Sequence, residues 1–279
     1  GTEEQKRTFL PKLSSGEIIG AWCLTEPNAG SDAFGEGMRT TATPTGNGWL
    51  ISGPKQFITN GSIADAYIVV AKINSGDSEN YGAFIVPRTN KGIIQCRPET
   101  KKVGMDASDT AAITFENVEV GIDLKMEGDG RKGTHKVLNS GRVGISALAC
   151  GLLRSALSEA VNYAQERKTF GRPINEYQGV SFPLCDSSAE LTACWTMVEK
   201  YAQATDDGSL TQRLSAETKL KVTECVLSGC LKAACIFGGS GYIKDNRATQ
   251  DFLDAFLLVI GEGTSNMQRL SIARALFSQ

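Results

Sequence analysis

Near the C-terminus the chain reads Gly261-Glu262-Gly263-Thr264-Ser265-Asn266-Met267-Gln268-Arg269, a combination of residues around which the rest of the sequence can be interpreted. Two glycines flank the carboxylate, and because glycine enters backbone conformations closed to other residues, the chain can pass close to a flat ligand here. Thr264 and Ser265 are typical N-cap residues, and the apolar pattern after them, ending at Leu276, predicts a closing helix. Glu262 is therefore expected just ahead of a helix, at a mouth of the fold. The alternative is an ordinary turn with a solvated acid.

The composition bounds the class of protein. A chain of 279 residues suffices for one large domain or two ordinary ones, and its 41% hydrophobic and 22% charged residues are typical of soluble proteins. A formal net charge of -2 without a Lys/Arg cluster gives no reason to expect nucleic-acid binding. No apolar run approaches the roughly 20 residues of a membrane span, and the charged N-terminus is unlike a signal peptide. We expect an intracellular protein with no membrane span.

The cysteines and the single histidine argue against a metal site. The eight cysteines include no pair with C-x-x-C spacing, so we expect them to be reduced, buried and hydrophobic in role. Cys225, Cys230 and Cys235 recur every five residues, which spreads them around a helix. His135 is the only histidine, which rules out multi-histidine metal sites and argues against a Ser-His-Asp triad. We predict no metal.

The first part of the chain combines one short helix with strands. Residues 3–13 have helical spacing but no N-cap, so we expect the chain to be a fragment or a partner to supply what precedes it. Short β-branched runs then alternate with turns, without helices between them, which indicates an antiparallel barrel or sandwich. Asn47-Gly48 is a hairpin turn by its chemistry. The clearest strands are 49–52, 66–71, 83–86 and 112–115.

The second part is helical. Apolar residues follow helical spacing after Gly128-Asp129-Gly130 and up to Arg167. Further helices are predicted at 178–204, 211–236 and 265–277. Four long helices after a β domain predict an α+β multidomain protein with an up-down four-helix bundle.

Two loops of the β region could contact a cofactor. The segment from Cys23 to Asp32 can present backbone N–H groups and the hydroxyls of Thr25 and Ser31 to a phosphate or a heterocycle edge. At the end of a strand, Phe57 could flank a planar ring while Thr59 hydrogen-bonds to it. Taken alone, both segments also fit ordinary turns and strand ends.

Two loops of the helical region have the same ambiguity. The segment from Arg167 to Gly171 could bind a pyrophosphate through guanidinium and hydroxyl groups, or could be a helix C-cap. The segment Gly238-Gly239-Ser240-Gly241 follows an apolar helix, which excludes a Rossmann motif but allows a backbone to approach a ligand closely.

These segments, in this order, closely resemble the acyl-CoA dehydrogenase family of flavoproteins over essentially the whole chain. The stretch from Cys23 to Asp32, followed by Gly35, fits the first signature of the family without exception. The stretches Glu166-Arg167-Lys168-Thr169-Phe170-Gly171 and Glu262-Gly263-Thr264-Ser265 are equally characteristic.

The resemblance implies an architecture and partners. Family members have an N-terminal helical domain, a middle β domain and a C-terminal four-helix bundle, with FAD between β domain, bundle and a neighbouring subunit of a homo-oligomer, a dimer of dimers. By this likeness residues 1–17 are the remnant of the helical domain, 18–126 the β domain and 127–279 the bundle. Most of the domain that forms one wall of the acyl pocket is not in this sequence. Bacterial cytoplasm and mitochondrial matrix are both compatible with it.

The resemblance also implies a reaction. Glu262 would be the base that takes the α-proton of an acyl-CoA thioester, and the β-hydrogen would pass as hydride to flavin N5, giving the trans-2-enoyl-CoA. Such a carboxylate needs a dry site that raises its pKa. Electrons would pass to an electron-transfer flavoprotein. Some members carry the base directly before the arginine that matches Arg142; Gly141 stands there and cannot act, which decides for Glu262.

The likeness assigns further positions residue by residue. Those matching flavin contacts are Trp22, Cys23, Leu24, Thr25, Ser31, Phe57, Ile58 and Thr59. Those that would serve the adenine half of FAD in an adjacent subunit are Arg167, Thr169, Tyr177, Gln178, Gly238 and Gly239, with Thr264 and Asn266 near the pyrophosphate. Those on the substrate side are Ser31, Arg142, Gly263 and Arg274.

Three departures and two alternatives accompany the resemblance. Cys235 replaces a usual polar or acidic residue and Gln250 a usual Lys or Arg, which puts one flavin contact in doubt. Gly261 replaces a common Tyr, so we expect a wider or differently shaped acyl pocket. The alternative functions are an oxidase that returns electrons to oxygen and a catalytically silent binding protein of the same fold. The acyl chain is not determined by the sequence.

Overall fold

A computed structural model describes residues 1–74 and 80–277, without the side chain of Ile93. It forms two compact units: a β unit of residues 1–102 and 106–136, and a helical unit of residues 103–105 and 137–279. The last two residues of the predicted domain 127–279 lie outside the described ranges. The domain boundaries at 17/18 and 126/127 stay predictions.

The β unit contains one short helix and a seven-stranded sheet. The helix is α1 (Glu3–Ser15). The strands are β1 (Gly20–Cys23), β2 (Thr41–Thr45), β3 (Gly48–Thr59), β4 (Ala66–Ile73), β5 (Asn80–Pro87), β6 (Ile93–Pro98) and β7 (Thr110–Gly121). The four predicted strands fall within β3, β4, β5 and β7, as expected from their β-branched runs. The predicted hairpin joins β2 to β3, but its two turn residues are Gly46 and Asn47, one position before the predicted Asn47-Gly48, because Gly48 already pairs with Thr45.

The sheet is mixed rather than wholly antiparallel, which corrects one detail of the predicted fold class. The pairs β2–β3, β3–β7, β6–β7 and β4–β5 are antiparallel, whereas β1 and β2 both pair parallel to β4. Parallel neighbours need a connection of a dozen or more residues, and the chain between Cys23 and Ala66 supplies one. Strands β1, β2 and β6 have sequence patterns too weak to predict. In addition, β1 is short and β2 contains Pro44.

The core of the β unit is built from alternate residues of these strands. Tyr67, Phe84 and Phe115 are almost completely buried there, and the Tyr67 and Phe115 rings meet edge to face with centroids 5.7 Å apart. Aromatic pairs of this geometry contribute beyond their buried area.

Helix α1 has the cap that its sequence was expected to lack. The Thr2 side chain accepts from the Gln5 backbone N–H and the Gln5 side chain accepts from the Thr2 N–H, a capping box. The expectation overlooked that Gln at the third helical position completes such a box. Buried Gln5 also donates to the carbonyls of Asp123 and Lys125, at 2.7 and 3.1 Å, which fixes α1 within the β unit.

The helical unit has one helix more than predicted. Its helices are α2 (Gly130–Glu166, of which residues 130–136 belong to the β unit), α3 (Gln178–Asp206), α4 (Gln212–Ile236), α5 (Arg247–Leu258) and α6 (Ser265–Phe277). A two-stranded ribbon of β8 (Lys168–Thr169) and β9 (Arg172–Pro173) joins α2 to α3. The four predicted helices correspond to α2, α3, α4 and α6. The missed α5 begins at Asn246, whose side chain accepts from Thr249 N–H as an N-cap.

Helix α4 lies in the centre of the helical unit. It packs against α3, α5 and α6, and at Gly229 it approaches α2 so closely that a Cβ would lie 2.6 Å from Leu153 Cδ1. Leu153, Val222, Val226 and Leu258 are buried in the shared core.

The cysteines are all free, and most are buried. Cys185 and Cys235 are exposed, contrary to expectation, because each lies on the outer face of its helix. Within the described residues no group of three or more His, Cys, Asp or Glu side chains could hold a metal ion.

By length and composition alone, one described helix could cross a membrane, contrary to the expectation from the sequence. It is α2, whose apolar stretch is interrupted by Arg154. The same property is common in core helices of soluble proteins, and α2 contributes buried Leu153, Ala156 and Ala160 to the core of its unit.

Candidate active site

The loop between α5 and α6 holds Glu262 in an unusual backbone conformation. Glu262 has φ 54° and Gly263 has φ 87°, both in the left-handed region that favours glycine. Such conformations cost about 1–3 kcal/mol for a non-glycine residue and persist where surrounding contacts enforce them. The Thr264 hydroxyl accepts from Met267 N–H at 3.3 Å and caps α6, as predicted.

Three buried side chains from three helices hold the carbonyls of this loop. Arg142 Nε of α2 donates to the Glu262 carbonyl at 3.2 Å. Lys219 Nζ of α4 donates to the Gly263 carbonyl at 2.9 Å. Gln268 Nε2 of α6 donates to both carbonyls, at 3.2 and 2.8 Å. These contacts stabilise the strained loop and fix the backbone position from which the Glu262 side chain extends.

The Glu262 carboxylate is held in a partly desolvated place. Burial raises its pKa above the ordinary value, and the positive charges of Arg142 and Lys219 offset part of that rise. Burial, reinforced by repulsion from Arg142, lowers the pKa of Lys219 to about 8. In the described chain the Glu262 carboxylate forms no ion pair within 4 Å.

Gly141 of α2 lies directly beside this carboxylate. A Cβ at Gly141 would come within 3.2 Å of Glu262 Oε2. The two positions that resemblance offered for a base are thus neighbours, and only Glu262 carries a carboxylate. At Gly261 the nearest atoms to a Cβ would be 3.5 and 3.7 Å away, so that position has ordinary room for a side chain.

A groove of about 610 Å³ lies at the other end of the helical unit. Of the positions assigned to the adenine half of a flavin dinucleotide, five line it: Arg167, Thr169, Tyr177, Gly238 and Gly239. Gln178 is exposed at the start of α3 and is not among its lining residues. Two aromatic residues of the groove were not predicted from the sequence: Tyr163 and Phe237 line it and stack with ring centroids 4.5 Å apart. The Phe before Gly238-Gly239 was the signal that could have found it.

The ribbon of β8 and β9 presents an aromatic side chain beside this groove. Phe170 has φ 49° and is 97% exposed, and Gly171 follows with φ 85°. Positive φ at both central residues matches the twist of a two-residue hairpin. Tyr177 supports the ribbon, since its hydroxyl donates to the Thr169 carbonyl at 2.9 Å and the Arg172 guanidinium lies 4.1 Å from its ring centre. A bulky side chain at positive φ with this exposure is uncommon in folded proteins.

The β-unit positions assigned to the flavin divide by exposure. The side chains of Cys23, Leu24 and Ile58 are buried, so only their backbones are available to a ligand. Ser31, Phe57 and Thr59 are exposed, and Thr25 is half-buried. Phe57 sits at a bulge in β3 with φ 56° and 63% exposure. The indole N–H of Trp22 is buried without a hydrogen-bond partner in the described chain, which leaves a donor for a ligand.

A buried ion pair that sequence reasoning missed anchors this loop. Lys55 Nζ lies 2.8 Å from Glu26 Oε1 and donates to the carbonyls of Leu24 and Val70, at 3.0 and 2.7 Å. The Glu26 carboxylate also accepts the backbone N–H groups of Arg39 and Thr40. Burial lowers the pKa of Lys55, and Glu26 opposes this. The acid inside the Thr-Glu-Pro motif was the available signal.

The remaining predicted positions are exposed or lack a side-chain hydrogen bond that would place them at a site. Asn266 and Arg274 are exposed on α6, and the Ser265 hydroxyl is buried without a partner in the described residues. Of the departures from the family pattern other than Gly261, Cys235 is exposed, and Gln250 Nε2 donates to Asp254 Oδ1 at 2.9 Å, within α5.

Comparison with known proteins agrees with this arrangement. The family model of the acyl-CoA dehydrogenase middle domain matches residues 21–118, and that of the C-terminal domain matches residues 128–277. A probable acyl-CoA dehydrogenase, YngJ of Bacillus subtilis, is 41% identical over 99% of this chain and 73% of its own length.

Two solved structures extend the likeness. A glutaryl-CoA dehydrogenase of Mycobacterium smegmatis in complex with FADH2 superimposes with a TM-score of 0.94 at 29% identity, over 100% of this chain and 71% of that one. A chain in the structure of the electron transferring flavoprotein of Acidaminococcus fermentans does so with a TM-score of 0.95 at 33% identity, over 100% and 73%. The chain described here belongs to the acyl-CoA dehydrogenase family.

Proposed function

We propose that this chain dehydrogenates an acyl-CoA thioester to the trans-2-enoyl-CoA, with FAD as cofactor and Glu262 as the base. The observation that carries the proposal is the Glu262 carboxylate, strained in backbone, partly buried and unpaired beside Gly141. A structural carboxylate is normally paired or solvated, whereas a base for a carbon acid needs a raised pKa and free lone pairs.

The residues present fit FAD. The groove beside Phe170 has the room, the guanidinium, the hydroxyls and the two glycines without side chains that an adenosine diphosphate moiety requires. In the β unit, the unpartnered Trp22 N–H and the exposed Phe57 and Thr59 offer a donor, an aromatic face and a hydroxyl. When bound, FAD supplies the acceptor for the β-hydrogen and its two electrons.

Glu262 has two tasks in this proposal. Its carboxylate takes the α-proton, which is weakly acidic and becomes easier to remove as charge moves onto the thioester oxygen. Its backbone N–H makes no hydrogen bond to any residue in ranges 1–74 and 80–277, so it is free to donate to that oxygen. Because the carboxylate must be ionised, activity falls as the pH falls through its raised pKa.

We further propose a homo-oligomer that passes its electrons to an electron-transfer flavoprotein. The almost fully exposed Phe170 supports contact with a second copy, and Tyr242, 92% exposed, adds another aromatic surface. The likeness to a chain in the Acidaminococcus flavoprotein structure supports the electron acceptor.

The experiment is anaerobic titration of the yellow protein with straight, branched, cyclic, aromatic and dicarboxylic acyl-CoAs. At least one should bleach the flavin in the wild type, and Glu262→Gln should slow bleaching by about 10³-fold or more while keeping the flavin. Glu217→Gln, at a half-exposed carboxylate on α4, is the matched control and should bleach normally. Equal bleaching in Glu262→Gln would show that the base is misassigned. Slow reoxidation in air after bleaching favours the dehydrogenase, and fast reoxidation the oxidase.

A further inference from the structure

Lys219 is a completely buried lysine whose ammonium group has few polar partners. Its side chain in α4 has no exposed surface, and its single hydrogen bond within the described chain goes to the Gly263 carbonyl, at 2.9 Å. No carboxylate in the described ranges lies within ion-pair distance of its Nζ. Burying an ammonium group with so few partners costs free energy, which favours a role other than stability.

The charged and titratable groups around Lys219 and Glu262 come from three helices and the loop. Arg142 faces both from α2, Tyr201 faces Arg142 and Glu262 from α3, and Glu224 faces Lys219 from the next turn of α4. Arg142 is occupied by the Glu262 carbonyl and the side chain of Asn139. Lys219 is the cation of this group that holds the second carbonyl of the strained loop.

We propose that Lys219 is a positioning residue for Glu262, holding the Gly263 carbonyl so that the loop keeps its left-handed turn. The positive charge of Lys219 also favours the ionised form of the Glu262 carboxylate. The proposal rests on the proposed function, in which Glu262 is the base. The hydrogen bond acts on the place of the carboxylate, whereas the charge acts on its proton affinity. The two effects are separable by substitution.

Two variants separate them. Lys219→Met removes both the charge and the donor at similar side-chain length, and Lys219→Gln removes the charge but retains a donor. Loss of the positive charge raises the pKa of Glu262, so both variants should move the acid limb of the flavin-reduction rate to higher pH, by about one unit. Loss of the donor loosens the loop, so Lys219→Met should also lower the limiting rate at high pH by about tenfold.

The measurement is anaerobic rapid mixing of the FAD-loaded protein with the acyl-CoA that bleaches the wild type fastest, across the pH range. Lys221→Met and Lys221→Gln, on the exposed face of the same helix, are matched controls and should leave the limb in place. Circular dichroism and flavin content check each variant. If Lys219→Met does not fold, Lys219→Gln alone decides by the position of its acid limb.

An acid limb that stays at the wild-type pH in the folded Lys219 variants overturns the proposal, as does an equal shift in the Lys221 controls. A purely structural lysine would change melting temperature and flavin content without moving the limb. Failure of the wider function looks different: Glu262→Gln would then bleach as fast as the wild type. An inactive Glu262→Gln with unchanged Lys219 variants removes only the role of Lys219.

Discussion

Each unit of the molecule places one glutamate and one buried lysine at a predicted flavin-binding loop or base: Glu26 with Lys55 in the β unit, both buried, and the half-buried Glu262 with Lys219 in the helical unit. The two pairs are arranged in opposite ways. In the β unit, Glu26 and Lys55 lie 2.8 Å apart and make five further hydrogen bonds, with the Leu24 and Val70 carbonyls and with the Arg39 and Thr40 N–H groups, the last of which is shared by both Glu26 oxygens. In the helical unit, Glu262 and Lys219 make no ion pair, and the lysine holds a backbone carbonyl.

The difference separates structure from chemistry. Where every lone pair and proton of a buried ion pair is satisfied, its groups fix a loop and have nothing left for a ligand. Where the carboxylate is left unpaired, burial raises its pKa and its lone pairs remain available. The buried ion pair with all its hydrogen bonds made therefore stabilises the β-unit loop, whereas the unpaired carboxylate is the candidate base.

The largest expected effect comes from removing one partner of the buried ion pair in the β unit. Lys55→Met leaves the Glu26 carboxylate buried and unpaired, so the free energy of unfolding should fall by about 3–5 kcal/mol. The double variant Glu26→Gln/Lys55→Met removes both charges and should recover part of that loss. Denaturant unfolding of the flavin-loaded protein measures both.

The control for that loss is an exposed ion pair of the helical unit. Arg213 Nε and Glu217 Oε1 are 2.7 Å apart on the surface of α4, and Glu217→Gln should change stability by less than about 1 kcal/mol. A loss in Lys55→Met no larger than in Glu217→Gln would contradict the structural role given to the buried pair.

A smaller effect is expected where α2 meets the carboxylate. Gly141→Ala places a methyl group 3.2 Å from Glu262 Oε2, so the carboxylate must shift by a few tenths of an ångström. We expect flavin reduction to slow by about tenfold, because a small misplacement of a reacting group is costly. The substitution also improves helix propensity by about 1 kcal/mol, so stability should stay level or rise.

The matched variant for this position is Gly151→Ala on the same helix. A Cβ at Gly151 has no neighbour within 4 Å, so it should gain stability without losing rate. Equal rates for Gly141→Ala and Gly151→Ala would mean that the Glu262 carboxylate is not held beside α2.

The features that depend on neighbouring residues could be predicted from the sequence. Capping residues, β-branched runs and glycines act over a few residues, so α6 with its Thr264 cap, the long strands and the groove position Gly238 were predictable. The resemblance added Glu262, which an isolated Gly-Glu-Gly could not have identified.

What the sequence could not give were the contacts between distant segments. Lys55 meets Glu26 across 29 positions and Lys219 meets Gly263 across 44, and no local pattern records such pairs. The parallel pairing of β1 with β4 was missed for the same reason. Helix α5 was missed because Asn246 was not weighed as a cap.

The role of Glu262 as the base is tested by the pH dependence of anaerobic flavin reduction by a saturating acyl-CoA in the wild-type protein. An unpaired, partly buried Glu262 predicts a single acid limb whose midpoint lies above 4.5, the ordinary pKa of a glutamate, and a limiting rate at higher pH that Glu262→Gln abolishes. A rate that stays constant as the pH falls to 4.5, or a limb that survives in Glu262→Gln, would contradict the account.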